Sequence, residues 1–190
     1  MFKTKRENTQ DTKRSKSGKT TIANFLSDST ENVGGEYRPT QGVRIVEFET
    51  QNSNINNGGF KTDVELWDCS GDLKFESFWP AIYKDANGIV FVCDLSVPDA
   101  SSKLDYYFES FVNQNSLLSS KNCLLIENVK NNEIRVSSLS NVFSKMQHIS
   151  INGEENIQKL GEKFNKYIST LLSGVRDRSE QDELNILTIS

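Results

Sequence analysis

Ser15-Lys16-Ser17-Gly18-Lys19-Thr20-Thr21 runs directly into Ile22, Phe25 and Leu26, an apolar stripe at helical spacing. A Gly-Lys-Thr tripeptide that opens a helix is the second half of the phosphate-loop pattern G-x-x-x-x-G-K-[ST]. The first N–H groups of a helix lack intrahelical acceptors, and the helix dipole adds partial positive charge at the same end, so the position suits an anion. Gly18 lets the backbone approach phosphate, Lys19 can reach the terminal phosphates, and the Thr20 hydroxyl can face Mg²⁺. The first glycine of the pattern is absent, because position 13 is Lys13.

The departure extends further forward. Residues 3–14 contain no apolar side chain, whereas a strand buried at the centre of a parallel sheet reads as a short Val/Ile/Leu run. Three readings follow: a polar strand formed at high cost, a sheet with a gap, or a faulty translation whose true exon boundary falls just before Ser15. The last is preferred, and residues 1–14 are expected to be an atypical, polar, disordered segment.

Charge is unevenly distributed over the 190 residues: +5 over residues 1–20, −7 over the body and −2 over residues 173–190. An acidic body argues against nucleic acid as a partner, since phosphate contacts need clustered cations. Cys69, Cys93 and Cys123 are too scattered for a zinc site or a disulfide framework, and His148 stands alone. No apolar run approaches the roughly 20 residues of a membrane span. Position 2 is Phe2 and Leu187–Ser190 holds no cysteine, so no direct lipid anchor is expected.

Beyond the first helix (19–27), strands are predicted around Val43–Phe48 and Val64–Trp67, joined by an Asn-rich loop ending in Gly58-Gly59. A Pro80-interrupted helical pattern spans Phe75–Tyr83 and implies a kinked or late-starting helix. Strands are predicted at 88–93, 123–126 and 148–151, with a polar loop over Asn128–Asn132. Helices are predicted around Leu104–Val112, around Leu139–Met146 with Ser137 or Ser138 as its cap, and over Ile157–Leu172. Strands alternating with helices imply a doubly wound α/β fold, mostly parallel, with one antiparallel hairpin strand and an abnormal or missing first strand. The organisation expected is residues 1–14, a phosphate-loop domain over 15–172, and a mobile charged tail over 173–190.

Two further pieces complete a nucleotide site. Asp68-Cys69-Ser70-Gly71 follows a strand, at the carboxyl edge where doubly wound sheets bind ligands. Asp68 can hold Mg²⁺ and Gly71 can offer its N–H to a γ-phosphate. Thr40, in Tyr37-Arg38-Pro39-Thr40, lies on a loop from which its hydroxyl can complete the Mg²⁺ shell. The competing reading of each is a plain turn.

With these pieces the chain resembles the Ras-like small GTPases. Glu36–Ile45, Leu66–Asp72 and Phe75–Ala81 are similar to the Rab-like subunits of the intraflagellar transport B particle. The similarity covers roughly residues 15–130, with a weaker continuation. It implies a GTP/GDP- and Mg²⁺-binding docking subunit of the train that moves cargo along cilia, bound to coiled-coil core subunits of that particle. On this basis Ser15, Lys16, Ser17, Gly18, Lys19, Thr20, Thr21, Thr40, Gly71, Asn128 and Lys130 are expected to bind cofactor, and Thr20, Thr40 and Asp68 to hold the metal. No catalytic residue is assigned. Where hydrolysing relatives place a water-orienting Gln, this chain has Asp72, which implies slow or absent turnover. Asn128-Val129-Lys130-Asn131 stands where N-K-x-D would recognise guanine, without its carboxylate. The stripe Phe75, Phe78, Trp79, Ile82 and Tyr83 is the expected partner surface, with at least two of the five in the core. A nucleotide-free scaffold and a hydrolysing Rab-type enzyme are the alternatives.

Overall fold

A computed structural model describes residues 17–27, 40–52, 60–115, 118–129, 134–152 and 157–189. The expectations for residues 1–16 and for Lys130 therefore lie outside the described residues. Helix α1 (Lys19–Leu26) comes first, then β1 (Val43–Asn52) and β2 (Phe60–Cys69). A 3₁₀ turn (Leu73–Phe78) leads into α2 (Trp79–Tyr83), then β3 (Ile89–Cys93) and α3 (Ala100–Phe108), which continues as a π turn over Glu109–Asn113. β4 (Cys123–Val129), α4 (Asn141–Ser144), β5 (Gln147–Asn152) and α5 (Ile157–Ile189) complete the order.

Among the described residues the strands form two sheets, an antiparallel β1–β2 pair and a parallel triplet in the order β3-β4-β5. Period-two alternation decides which core each strand residue enters. Phe91, Cys93, Cys123 and Leu125 pack with Trp79, Leu104, Tyr107, Phe111 and Phe143, from α2 to α4. Val90, Val92, Leu124, Ile126, Ile149 and Ile151 face the other way, onto Ile22 and Ala23 of α1 and Leu160, Phe164 and Tyr167 of α5. Helices thus cover both faces of the parallel strands, as the expected doubly wound α/β, Ras-like fold requires. A cavity of about 550 Å³ separates the two sheets, lined by Leu66 and Trp67 of β2, Ile89 and Val90 of β3, and Phe164 and Leu171 of α5.

At Pro80 the helix starts late rather than being kinked: the proline sits in the first turn of α2, where its missing N–H costs nothing. Several boundaries differ from the sequence expectation. Asn128 and Val129, predicted as loop, extend β4 by pairing with Ile151 and Asn152. The residue preceding α4 is Ser140 rather than Ser137 or Ser138. Ser137 instead donates its hydroxyl to the Val97 and Pro98 carbonyls, at 2.6 and 2.8 Å. α5 runs well past Gly174, to Ile189.

Candidate nucleotide site

The site grows from the start of α1. Gly18 precedes the helix with φ 85°, a left-handed conformation that glycine adopts without a Cβ clash. Its carbonyl accepts the Ile22 N–H at 2.9 Å. A Cβ built on Gly18 would stand 2.5 Å from the Asn128 amide nitrogen. That amide donates to the Ser17 carbonyl at 3.0 Å and fastens the loop to the end of β4. Asn128 therefore acts here as a tether, a role its sequence pattern alone did not disclose.

Thr20 follows in α1, Thr40 precedes β1, and Asp68 is the penultimate residue of β2. The Thr20 hydroxyl donates to Asp68 Oδ2 at 2.8 Å and lies 3.1 Å from Thr40 Oγ1, while Thr40 Oγ1 stands 3.3 Å from the same carboxylate oxygen. Asp68 is 0 % exposed, and its other oxygen, Oδ1, is buried without a hydrogen-bond partner among the described residues. Three hard oxygens at these separations fit Mg²⁺: an octahedron with ~2.1 Å bonds has edges of about 3.0 Å. An unpartnered buried carboxylate oxygen costs free energy that a cation would relieve.

Lys19 is buried beside this group. Burial pushes its ammonium below the usual lysine range, while Asp68 and then Cys69 pull it back up. An incoming polyanion would favour the charged form again, since it adds the counter-charge that burial withholds. Arg44, paired across the hairpin with Asp68, brings Nη2 to 3.7 Å from Asp68 Oδ2 and also donates to Asn24 of α1. Two residues after Thr40, Gly42 has φ 70° and its carbonyl accepts the Ser70 N–H at 2.7 Å, which ties the approach to β1 to the end of β2.

Beyond β2, Gly71 is buried and its carbonyl accepts the Tyr107 hydroxyl at 3.1 Å. Asp72 is engaged locally: Oδ1 accepts the Lys74 N–H at 3.1 Å as the cap of the 3₁₀ turn, and Oδ2 lies 3.2 Å from Lys74 Nζ. The structure thus brings Lys19, Thr20, Thr40 and Asp68 together and ties Asn128 to Ser17. Thr21 is exposed, and Ser15, Lys16 and Lys130 are outside the described residues. Sequence reasoning missed Arg44, Gly42 and Tyr107. Arg44 could have been found only from the hairpin register, which a long loop does not fix, and Tyr107 read simply as a helix-stripe residue.

The aromatic stripe divides. Trp79 is core, with ring centroids 4.7 Å from Phe111 and 5.6 Å from Tyr107. Phe78 is 62 % exposed, and Tyr106 beside Trp79 is 42 % exposed. Phe75, Ile82 and Tyr83 are half-buried.

The family profile for the Ras of Complex, Roc, domain of DAPkinase matches residues 14–132. An intraflagellar transport protein 22 homolog of Danio rerio is 41% identical over 177 residues, covering 92% of this chain and 94% of that protein. The chain belongs to the intraflagellar transport protein 22 family. The Homo sapiens homolog is 38% identical over 175 residues, covering 90% of this chain and 93% of its own length. The intraflagellar transport associated protein 2 of Caenorhabditis elegans is 34% identical over 140 residues, covering 58% of this chain and 54% of that protein. A Ras-like GTPase domain of this kind implies guanine-nucleotide binding.

Proposed function

We propose that the chain is a small-GTPase-like, GTP-binding subunit of the intraflagellar transport B particle. It acts as a docking switch for cilium assembly and transport, at the cilium or flagellum and in the cytoplasm around the basal body. The observation that carries the nucleotide reading is the convergence of the Thr20 and Thr40 hydroxyls on Oδ2 of the buried Asp68, whose other oxygen, Oδ1, has no hydrogen-bond partner among the described residues. When bound, Mg²⁺ would neutralise charge between the β- and γ-phosphates. The chain's own part is to present N–H groups at the start of α1, to place the Lys19 charge, and to tie the approach to β1 to the end of β2 through the Gly42–Ser70 bond. Asp72 is occupied as a cap and bears the wrong charge to orient an attacking water, so hydrolysis is slow. Phe78 and Tyr106 offer the exposed aromatic area for a coiled-coil core subunit, in keeping with aromatic anchors at interfaces.

Titration calorimetry of the full chain with GTP, GDP and ATP in the presence of Mg²⁺ tests this. Guanine nucleotides are expected to bind, and Lys19→Ala to weaken GTP by at least about tenfold, the loss of one charge-assisted contact. Absence of heat with all three nucleotides would leave the nucleotide-free scaffold instead. Single-turnover hydrolysis at the rate of ordinary small GTPases would overturn the role given to Asp72.

A further inference from the structure

We propose that Tyr107 is a positioning residue that couples the Gly71 backbone to the aromatic docking face, so that nucleotide state reaches the surface through α3. The inference rests on the nucleotide reading above and goes beyond it.

Tyr106 and Tyr107, adjacent on α3, hold two points of the segment between β2 and α2. Tyr107 points inward, is 2 % exposed, and donates its hydroxyl to the Gly71 carbonyl at 3.1 Å across 36 residues of sequence. Tyr106 points outward and donates its hydroxyl to Glu76. Glycine has the least restricted backbone of any residue, so a tether on its carbonyl restricts Gly71 more than it would another residue. Asp72, next in sequence, caps the 3₁₀ turn that leads into Trp79.

The tyrosine rings carry the coupling onward. Tyr107 meets Trp79 edge-on at 5.6 Å and Tyr106 meets it edge-on at 6.0 Å, and both tyrosines contact each other at 6.0 Å. Trp79 is 2 % exposed, yet its Nε1 has no hydrogen-bond partner among the described residues. A buried unpaired N–H is a cost that a different packing of the ring could relieve. The segment is therefore fastened by hydroxyl contacts around a ring that is well packed but polar-unsatisfied, an arrangement suited to two alternative packings. Burial pushes the Tyr107 phenol well above its ordinary range, so it remains a donor through the physiological span.

The test uses the full chain carrying Trp67→Phe, which leaves Trp79 as the sole tryptophan. In this background Tyr107→Phe keeps the ring and deletes the bond to Gly71. The expected result is GDP affinity within about twofold of the parent, GTP affinity lowered about fivefold, and loss of the difference in Trp79 emission between the two nucleotide states. A merely structural tyrosine would lower the unfolding midpoint while leaving the GTP-to-GDP affinity ratio and the emission difference intact, and that result overturns the proposal. Tyr106→Phe, an exposed change that does not threaten folding, is the second arm. It should shrink the emission difference without altering either affinity, and an unaltered difference overturns the coupling even where Tyr107→Phe fails to fold. A parent protein that binds neither nucleotide would refute the nucleotide reading and the coupling together, whereas nucleotide binding with unchanged variants refutes the coupling alone.

Discussion

The parallel triplet and the antiparallel pair share two cores but are built on different terms. Each β3 residue from Ile89 to Cys93 and each β4 residue from Cys123 to Glu127 is buried, because helices cover both faces. In the pair, Ile45, Glu47, Glu49, Asp63 and Glu65 face solvent while Phe48, Val64 and Leu66 turn inward. Stability is therefore concentrated in the triplet. The pair contributes position, since Thr40 sits just before β1 and Asp68 is the penultimate residue of β2. The site thus draws Thr40 and Asp68 from the one-sided half of the molecule, while Asn128 of the two-sided sheet holds Ser17 just before α1.

The largest effect expected is a direct break of that contrast. Phe91→Ala should cost about 3–5 kcal/mol, because the ring is fully enclosed with Phe143 and Phe108 and leaves a cavity behind. Ile45→Ala, on the exposed face of β1, should cost no more than about 1 kcal/mol. Urea unfolding of both variants checks this. Similar losses would mean that the two sheets carry stability equally.

Alkaline pH sharpens the comparison from another side. Burial pushes the thiols of Cys93, in β3, and Cys123, in β4, up to about 12. An unfolded thiol ionises nearer its ordinary value of 9.0, so above that pH the unfolded chain holds fewer protons than the folded one. Stability from these two groups is thus complete below about pH 9 and falls between there and 12, by about 1.4 kcal/mol per pH unit for each. Cys93→Ala should reduce the slope of unfolding free energy against pH by about that amount, as measured by urea titrations from pH 8 to 11. An unchanged slope would mean that the β3 thiol is not held neutral by the fold.

The same contrast explains what could be read in advance. The triplet was legible because two-sided burial writes itself as short apolar runs, Ile89–Cys93 and Cys123–Ile126, and the helices around it as clear 3.6-residue stripes. Lys19, Thr20, Thr40 and Asp68 could be named because Gly-Lys-Thr and Asp-x-x-Gly are local patterns, although their convergence needed the fold. The polarity of Asn128–Asn132 predicts a loop. In the structure Asn128 is paired in β4 and its side chain satisfies a carbonyl far away in sequence. The split of the aromatic stripe was hidden for a related reason: Trp79 and Phe78 are equally aromatic, and only the docking of α3 decides which one is covered. Asp72 was identified as a departure, but its use as a cap depends on Lys74 closing a 3₁₀ turn that has no sequence period.

The smallest effect lies within the pair itself. The register sets Glu47 directly opposite Glu65, and Glu49 opposite Asp63. Like charges at directly opposed positions destabilise a ladder, and Glu49 is relieved by Lys61 at 2.6 Å. Glu65→Lys should exchange one repulsion for an attraction. It also gives up the 3.3 Å bond that the Trp67 indole N–H donates to Glu65, so the net gain expected is about 0.5 kcal/mol. Because both partners are exposed, the gain should shrink towards zero in ~1 M salt, where the screening length is about 3 Å. The same reversal in the triplet is not available, since its interior offers no exposed like-charge pair to reverse. A gain that persists at high salt would show that the hairpin face is shielded from solvent, and so is not the open half of the molecule.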